Sequence, residues 1–451
     1  MAIGPWEYIM RRDRVGRNGE ITWRCRDFKK YHCPATIKTL GGVVVDGTGN
    51  PNHYHVGDPV VPKVRKAQSQ LRQTARNSSG TTRRVLADTL VGLDEATLMR
   101  LPSKRSLEGN VRHIRRKENP EAANPTRQFE MPERFEDLIL SDTGAQDDQR
   151  ILALGDPEMV KVLENEGLWL GDGTFAVVPT FYFQLYTIHT KIGNSYPPCV
   201  YFLLPGKSQE IYGRMMDILK QLLPNLEPQE ILLDFENAAQ NAFKLAFPNA
   251  IVKGCQFHLS QAVLRKVGQL GLKNQFENDV DFNLLVKSLA ALAFVPEDEV
   301  LDRFQELADA FPDEDSSQEL LTYFEATYIR GRDLGGNRGR ATARYPPYMW
   351  NHTIDALGCA PKTTNAVEGF HTALDALFLC DHPSMWKLLE GLRKDMSVQK
   401  KIWADAQVAN NPAQRRKYRV LAERLCEKVA NYEEEDDKLR YLRAVAHLLS
   451  S

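Results

Sequence analysis

Two short apolar runs in this sequence end in an acid. Leu168-Trp169-Leu170-Gly171 leads into Asp172, with Gly173 and Thr174 after it, and Ile231-Leu232-Leu233 leads into Asp234. Each reads as a buried strand that delivers a carboxylate at its end and then turns away. Two such strand ends brought together are the beginnings of a divalent-metal site, because Mg²⁺ and Mn²⁺ are hard ions that take carboxylate oxygen. A second set stands near the N-terminus: Cys25, Cys33, His53 and His55. Two thiolates and two imidazoles suit tetrahedral zinc. His53 and His55 are two apart, so an extended segment points both rings to one side. A core of about 60 residues with few large aliphatic side chains needs such a staple.

The elements that position these groups belong to a chain of 451 residues, 42% hydrophobic and 26% charged, the composition of a soluble globular protein with more than one domain. The net charge of -1 hides an asymmetry. Residues 1–118 hold 23 Lys/Arg against 11 Asp/Glu, and the remainder holds 35 against 48. A basic front on an acidic body is the pattern of a polyanion-binding arm. The seven cysteines follow no disulfide framework, which predicts a reducing compartment. The Arg-rich start has no apolar signal region, so secretion is not expected. The apolar stretch 284–295 carries Lys287 and is too short to span a bilayer. A basic run at 112–117 has the composition of a nuclear-import patch, so the nucleus is the expected location.

In chain order, 8–12 and 22–25 read as two strands joined by a turn at 16–19, and 37–45 as a further β-rich piece around Gly41-Gly42. Residues 65–76, 82–93 and 103–117 read as three helices separated by 77–80 and Leu101-Pro102. The third carries Leu107, Val111 and Ile114 on one face, with Arg105, Arg112, Arg115, Arg116 and Lys117 elsewhere. Three short helices, the last one basic, suit a helix-turn-helix-like DNA reader; a solvated basic bundle is the equal alternative. Segment 119–150 reads as a linker with one short helical piece. The body then runs strand, strand, strand, helix, strand, helix, strand, with Asp172 closing the first strand and Asp234 the fourth. A three-strand meander followed by alternating units is the order of the RNase H-like fold. Residues 273–345 show no strand pattern and read as an all-α insertion. Beyond it, Val367, Phe370, Leu374 and Leu377 make an apolar helical face, with Glu368, His371 and Asp375 on a polar one.

Trp23, Cys25, Cys33, His53 and His55 together resemble the FLYWCH-type zinc finger, and Tyr8 fits its pattern. That family's opening Phe- and Leu-bearing strand would precede Tyr8, where seven residues stand, so the expectation is either a cropped finger or a gene model that starts late. In the body, Asp172-Gly-Thr-Phe, Gln184-Leu-Tyr-Thr-Ile-His189, Asp234-Phe-Glu236, Cys255-Gln-Phe-His258 and Asn365-Ala-Val-Glu368-Gly-Phe-His371 resemble the Mutator-like (MULE) transposases, in that family's order. The departures are Thr364, where Asn is commoner, and the lack of a recognisable zinc-knuckle or SWIM-type C-terminus.

The resemblance implies a catalytic triad of Asp172, Asp234 and Glu368 holding Mg²⁺ or Mn²⁺ for cleavage and transfer of DNA strands at element ends. It implies double-stranded DNA as partner and self-association in a synaptic complex. Glu236 and His371 read as neighbours of the triad, and Cys255 and His258 as structural or DNA-proximal groups in preference to half a zinc site. Each acid keeps a structural alternative: Asp172 as a turn residue, Asp234 as a helix cap, Glu368 as the reciprocal half of a capping box with Asn365. The rival function is a domesticated, catalytically silent transposase acting as a DNA-binding regulator. The expected organisation is a zinc finger over 1–62, a basic helical segment over 63–130, an RNase H-like core over 131–272, an all-α insertion over 273–345, the returning core over 346–385 and a helical tail over 386–451.

Overall fold

A computed structural model describes residues 2–3, 6–15, 19–77, 80–118, 127–335, 338–358, 365–378, 380–408 and 416–449. The expected turn at 16–19, the break at 77–80, the start of the 119–150 segment, and Thr363 and Thr364 fall partly or wholly outside them. The chain divides into two units, 1–123 and 124–451.

In the first unit, strands β1 (Ala2–Ile3), β2 (Trp6–Val15), β3 (Ile21–Cys25), β4 (Thr36–Leu40) and β5 (Val43–Asn50) form an antiparallel sheet in sequential order. The expected single β-rich piece around Gly41-Gly42 is a hairpin. Both glycines have positive φ, +57° and +85°, as a two-residue turn matched to strand twist requires. Helices Val60–Asn77, Thr82–Leu90, Glu95–Arg100 and Lys104–Glu118 follow and close on Leu71, Ala75, Val85, Leu86, Leu107 and Val111. There are four helices where three were expected. Gly92, at φ +77°, breaks the second, and Asp94 caps a new one by accepting from the Thr97 amide at 2.8 Å.

The second unit is a mixed α/β body built on a seven-stranded sheet. Its strands are β6 (Ile139–Asp142), β7 (Leu152–Leu154), β8 (Leu168–Thr174), β9 (Gln184–Thr190), β10 (Pro198–Leu204), β11 (Glu230–Leu233) and β12 (Ile251–Gly254), in the order β12-β11-β8-β9-β10-β7-β6. β11 runs parallel to both β8 and β12, and every other pairing is antiparallel. All residues of β9 and β10 are buried, because helices cover both faces. Trp169, Ile188, Phe202, Ile231 and Leu233 face helices Gln209–Leu222 and Asn237–Ala246. Leu154, Leu185, Tyr201 and Leu203 face helices Asn365–Phe378 and Met385–Gln407.

Two expectations are corrected. The expected linker over 119–150 holds β6, which is too short to show a period of two and is fixed by pairing onto β7, itself paired to β10. β8 does not close at Asp172 but runs to Thr174, because Gly173 and Thr174 still pair with Tyr186 and Leu185.

The stretch after β12 is helical. Leu259, Val263 and Val267 of helix Gln256–Gln269 share a core with helices Val280–Ala291, Val300–Asp309 and Asp315–Phe324. Helices Arg416–Ala430 and Lys438–Leu449 complete that core, so the C-terminal segment is divided between it and the sheet. Among the described residues no helix is long and apolar enough to cross a membrane.

Candidate active site

The register of β8 and β11 brings the first two acids together. Glu230, Ile231 and Leu232 pair with Leu168, Trp169 and Leu170, a constant offset that, carried two residues further, sets Asp234 beside Asp172. Neighbouring strands lie about 4.8 Å apart, and residues two apart share a face, so both carboxylates leave the sheet on the side of Leu170 and Leu232. On the opposite side there is no space: a Cβ on Gly173 would stand 2.3 Å from Gln184 Oε1, which explains the glycine after Asp172.

The third acid arrives on a helix. Val367, fully buried, packs with Leu170, Leu232 and Cys255 and lays helix Asn365–Phe378 across that same face, which sets Glu368 over the strand ends. Asp172 keeps Glu368's charge in view: burial first, then the Asp172 carboxylate, push Glu368 up to about 7. Burial, Asp172 and Glu236 push Asp234 up to about 7 in the same way, while the Glu236 amide and Lys207 oppose the rise. Asp234 and Glu368 are thus penalised for ionising, in part by the Asp172 carboxylate, a cost that a cation held among them would remove. This donor set, oxygen only and electrostatically crowded, fits Mg²⁺ or Mn²⁺.

Two imidazoles reach the acids. His371 Nδ1 lies 3.4 Å from Asp172 Oδ2, and His258 Nε2 lies 3.3 Å from Glu368 Oε1. Behind His371 stands a buried relay: His371 Nε2 is 3.4 Å from the Thr187 hydroxyl, which donates to His189 Nε2 at 2.8 Å, while His189 Nδ1–H donates to the Tyr196 carbonyl at 2.9 Å. Complete burial holds His189 neutral, its pKa lowered to about 3. His258 leaves Nδ1 buried without a hydrogen-bond partner, and burial lowers its pKa. Glu236 precedes helix Asn237–Ala246 and is raised by burial, against Lys207 and a hydrogen bond with Tyr212. Cys255 is wholly buried beneath Val367, so packing accounts for it. Residue type and spacing give no role to Thr187, His189, Lys207 or Tyr212; only the Gln184–His189 motif hints at the first two.

In the first unit, Cys25, Cys33, His53 and His55 converge, with their donor atoms all within 4.8 Å of one another. Cys25 Sγ is 3.2 Å from His55 Nε2, and Cys33 Sγ is 3.4 Å from His53 Nδ1. Tetrahedral zinc with ordinary bond lengths sets sulfur and nitrogen ligands about 3.5 Å apart, so the four fit one ion. The other ring nitrogens are already engaged: His53 Nε2 with the Tyr8 hydroxyl at 2.9 Å, and His55 Nδ1 with the Val56 carbonyl at 3.2 Å. Trp6 stacks on His53 at 3.7 Å and Tyr31 on His55 at 4.6 Å, contacts the sequence did not announce. Burial pushes the Cys25 thiol up to about 11, so metal binding there must expel a proton.

The five basic residues singled out on helix Lys104–Glu118 separate into two groups. Arg105, Arg112 and Arg116 are exposed and, at spacings of seven and four, line one face. Lys117 is exposed beside them. Arg115 turns inward, where it donates to the Gly80 carbonyl at 2.7 Å and the Ala75 carbonyl at 3.4 Å. It ties helices together rather than meeting a ligand.

Asp172 and Asp234 thus stand at the ends of adjacent parallel strands, and helix Asn365–Phe378 brings Glu368 to the same face. Residues 168–262 match the family model described as the MULE transposase domain. The match spans β8 to the helix after β12 and so includes Asp172, Asp234, Glu236, Cys255 and His258, while Glu368 lies beyond it. No curated protein matches the chain.

Proposed function

We propose that this chain is a DNA transposase of the MULE type, in which Asp172, Asp234 and Glu368 form one catalytic centre. The observation that carries the reading is the shared register of Asp172 and Asp234 beneath the helix bearing Glu368, within a family match to the transposase domain. The strand order, an antiparallel trio followed by parallel strands joined through helices, supports an RNase H-like core, with 273–345 as its all-α insertion. Bound Mg²⁺ or Mn²⁺ would activate the attacking hydroxyl and stabilise the leaving oxygen of a phosphodiester. The residues supply the rest. The three carboxylates would hold the ions, with His371 and His258 orienting Asp172 and Glu368 and the Thr187–His189 pair fixing His371 from behind. The first unit, a zinc finger with an exposed arginine face, would engage element-end DNA in the nucleus, and pairing of two ends would bring two copies together.

The test is cleavage by the purified full-length protein of DNA carrying the terminal repeats that flank its own locus. Metal-dependent nicks at the repeat ends are expected. Tight binding of those ends without cutting in either Mg²⁺ or Mn²⁺ would overturn the reading in favour of a domesticated DNA-binding regulator.

A further inference from the structure

Beside Asp234 a cleft of about 710 Å³ opens between the sheet and the helical stretch that follows it. Asp234, His258 and Arg265 line one wall, and Tyr323, Thr327, Arg332 and Arg344 line the other. The second wall departs from regular geometry. Helix Asp315–Phe324 runs into a π-helical turn, Glu325–Ile329, which turns Thr327 to the cleft and Tyr328 into its floor. The chain then reverses at Gly331. Its φ is +70°, and a Cβ there would stand 2.0 Å from the Ala341 carbonyl oxygen, so no other residue fits. A small hairpin follows, closed by the Ala341 amide donating to the Arg332 carbonyl and the Leu334 amide to the Gly339 carbonyl, each at 2.9 Å.

The charges on this hairpin are unequal in their duties. Glu325 pairs with Arg330 at 2.6 Å and with Arg340 at 3.1 Å, which consumes two of its arginines in holding its base. Arg332 and Arg344, and Arg265 on the facing wall, are exposed and make no ion pair with any described residue. Three guanidinium groups around one cleft present planar forks of donors that match phosphate oxygens. The cleft has the volume of a small-ligand site, room for one or two nucleotides of a single strand and none for a duplex. Tyr323, half-buried on the same wall, offers a ring face for a base.

We propose that this cleft is a subsite for single-stranded DNA next to the scissile bond, with Arg265, Arg332 and Arg344 as its phosphate ligands. The inference rests on the reading that the body acts on DNA, and it makes the helical stretch the part that holds the unpaired strand end against the acids. A strand whose scissile phosphate lies at Asp172, Asp234 and Glu368 has its next phosphates at the mouth of this cleft.

The test uses the full-length chain, a fluorescent single-stranded oligonucleotide, and Ca²⁺ in place of a catalytic ion, with affinity read across a salt series. Each of Arg265→Gln, Arg332→Gln and Arg344→Gln should reduce the slope of log K against log salt by about 0.7, and the triple variant by about 2. Lysine at the same positions should restore the slope, which a merely structural role would not predict. Arg303→Gln, which removes a guanidinium already paired with Glu299 and Glu306, should leave it unchanged. A triple variant that melts like the wild type and keeps its slope overturns the subsite, even if the protein cuts DNA. Loss of slope in a wild-type background that never cuts DNA leaves the subsite standing and removes the transposase reading instead.

Discussion

Asp234→Asn should stabilise the metal-free protein while abolishing the proposed DNA cleavage. Burial, reinforced by Asp172 and Glu236, raises this carboxyl from 3.8 to about 7. The folded state therefore binds the proton more tightly than the unfolded chain does. The stabilisation this provides is complete below about pH 4 and is lost as pH rises through about 7. At pH 8 the ionised carboxylate carries the whole penalty, about 4 kcal/mol if the shift is taken at face value. Partial exposure, and the sharing of repulsion with Asp172, reduce that to roughly 2 kcal/mol. The isosteric amide keeps the shape and removes the charge. At pH 8 in chelator, thermal unfolding of the variant should come roughly 3 °C above wild type, and at pH 4 the two should coincide. Adding Mn²⁺ at pH 8 should raise the wild-type transition and barely move the variant, since a ligand that binds only the folded state stabilises in proportion to its affinity. A variant that is less stable than wild type at pH 8, or equally more stable at both pH values, would refute the idea that the acids are crowded at a cost.

Two further outcomes concern the first unit. Cys25→Ser or His55→Ala should lose about one bound zinc per chain and unfold the five-stranded sheet of this unit, since structural zinc supplies roughly 10 kcal/mol or more; metal analysis with far-UV circular dichroism checks both, and a zinc-free protein with an unchanged fold would contradict it. Arg105→Gln, Arg112→Gln and Arg116→Gln should each lower the salt slope of duplex binding by about 0.9, with little effect on melting. Arg115→Gln should do the reverse, costing about 1–3 kcal/mol of stability through its lost carbonyl partners.

The element order of the body was legible where strands are apolar runs, as in Pro198–Leu204 and Glu230–Leu233, and where a helix has a readable start, as Ser208 shows by capping Gln209–Leu222. The constant offset between β8 and β11 lies in the sequence too, as the separation of the two aspartates. Other features depend on contacts between distant segments. β6 and β7 have too few residues to carry a pattern and exist by pairing, β7 with β10 and β6 with β7. Glu368 reaches the sheet because Val367 fits over Leu170 and Leu232, a match of shapes that no spacing encodes. Arg115 looks like its basic neighbours in sequence, and only the packing of helix Val60–Asn77 against its own turns it inward. The arginine cleft depends on the π-helical turn and on the Glu325 pairings, which separate anchoring charges from free ones. Polar periodicity reports exposure; it does not report which exposed charge already has a partner.

The central claim is that Asp172, Asp234 and Glu368 act as one metal-holding unit, and the most direct measurement compares their charge-neutral variants on DNA bearing the element's terminal repeats. Asp172→Asn, Asp234→Asn and Glu368→Gln should each remove nearly all Mn²⁺-dependent nicking while repeat binding by the first unit persists, because residues that act together are lost together. Asp375→Asn, exposed on the same helix as Glu368, should cut at close to the wild-type rate. Nicking that survives Glu368→Gln but fails in Asp375→Asn would place the third acid elsewhere and contradict the account.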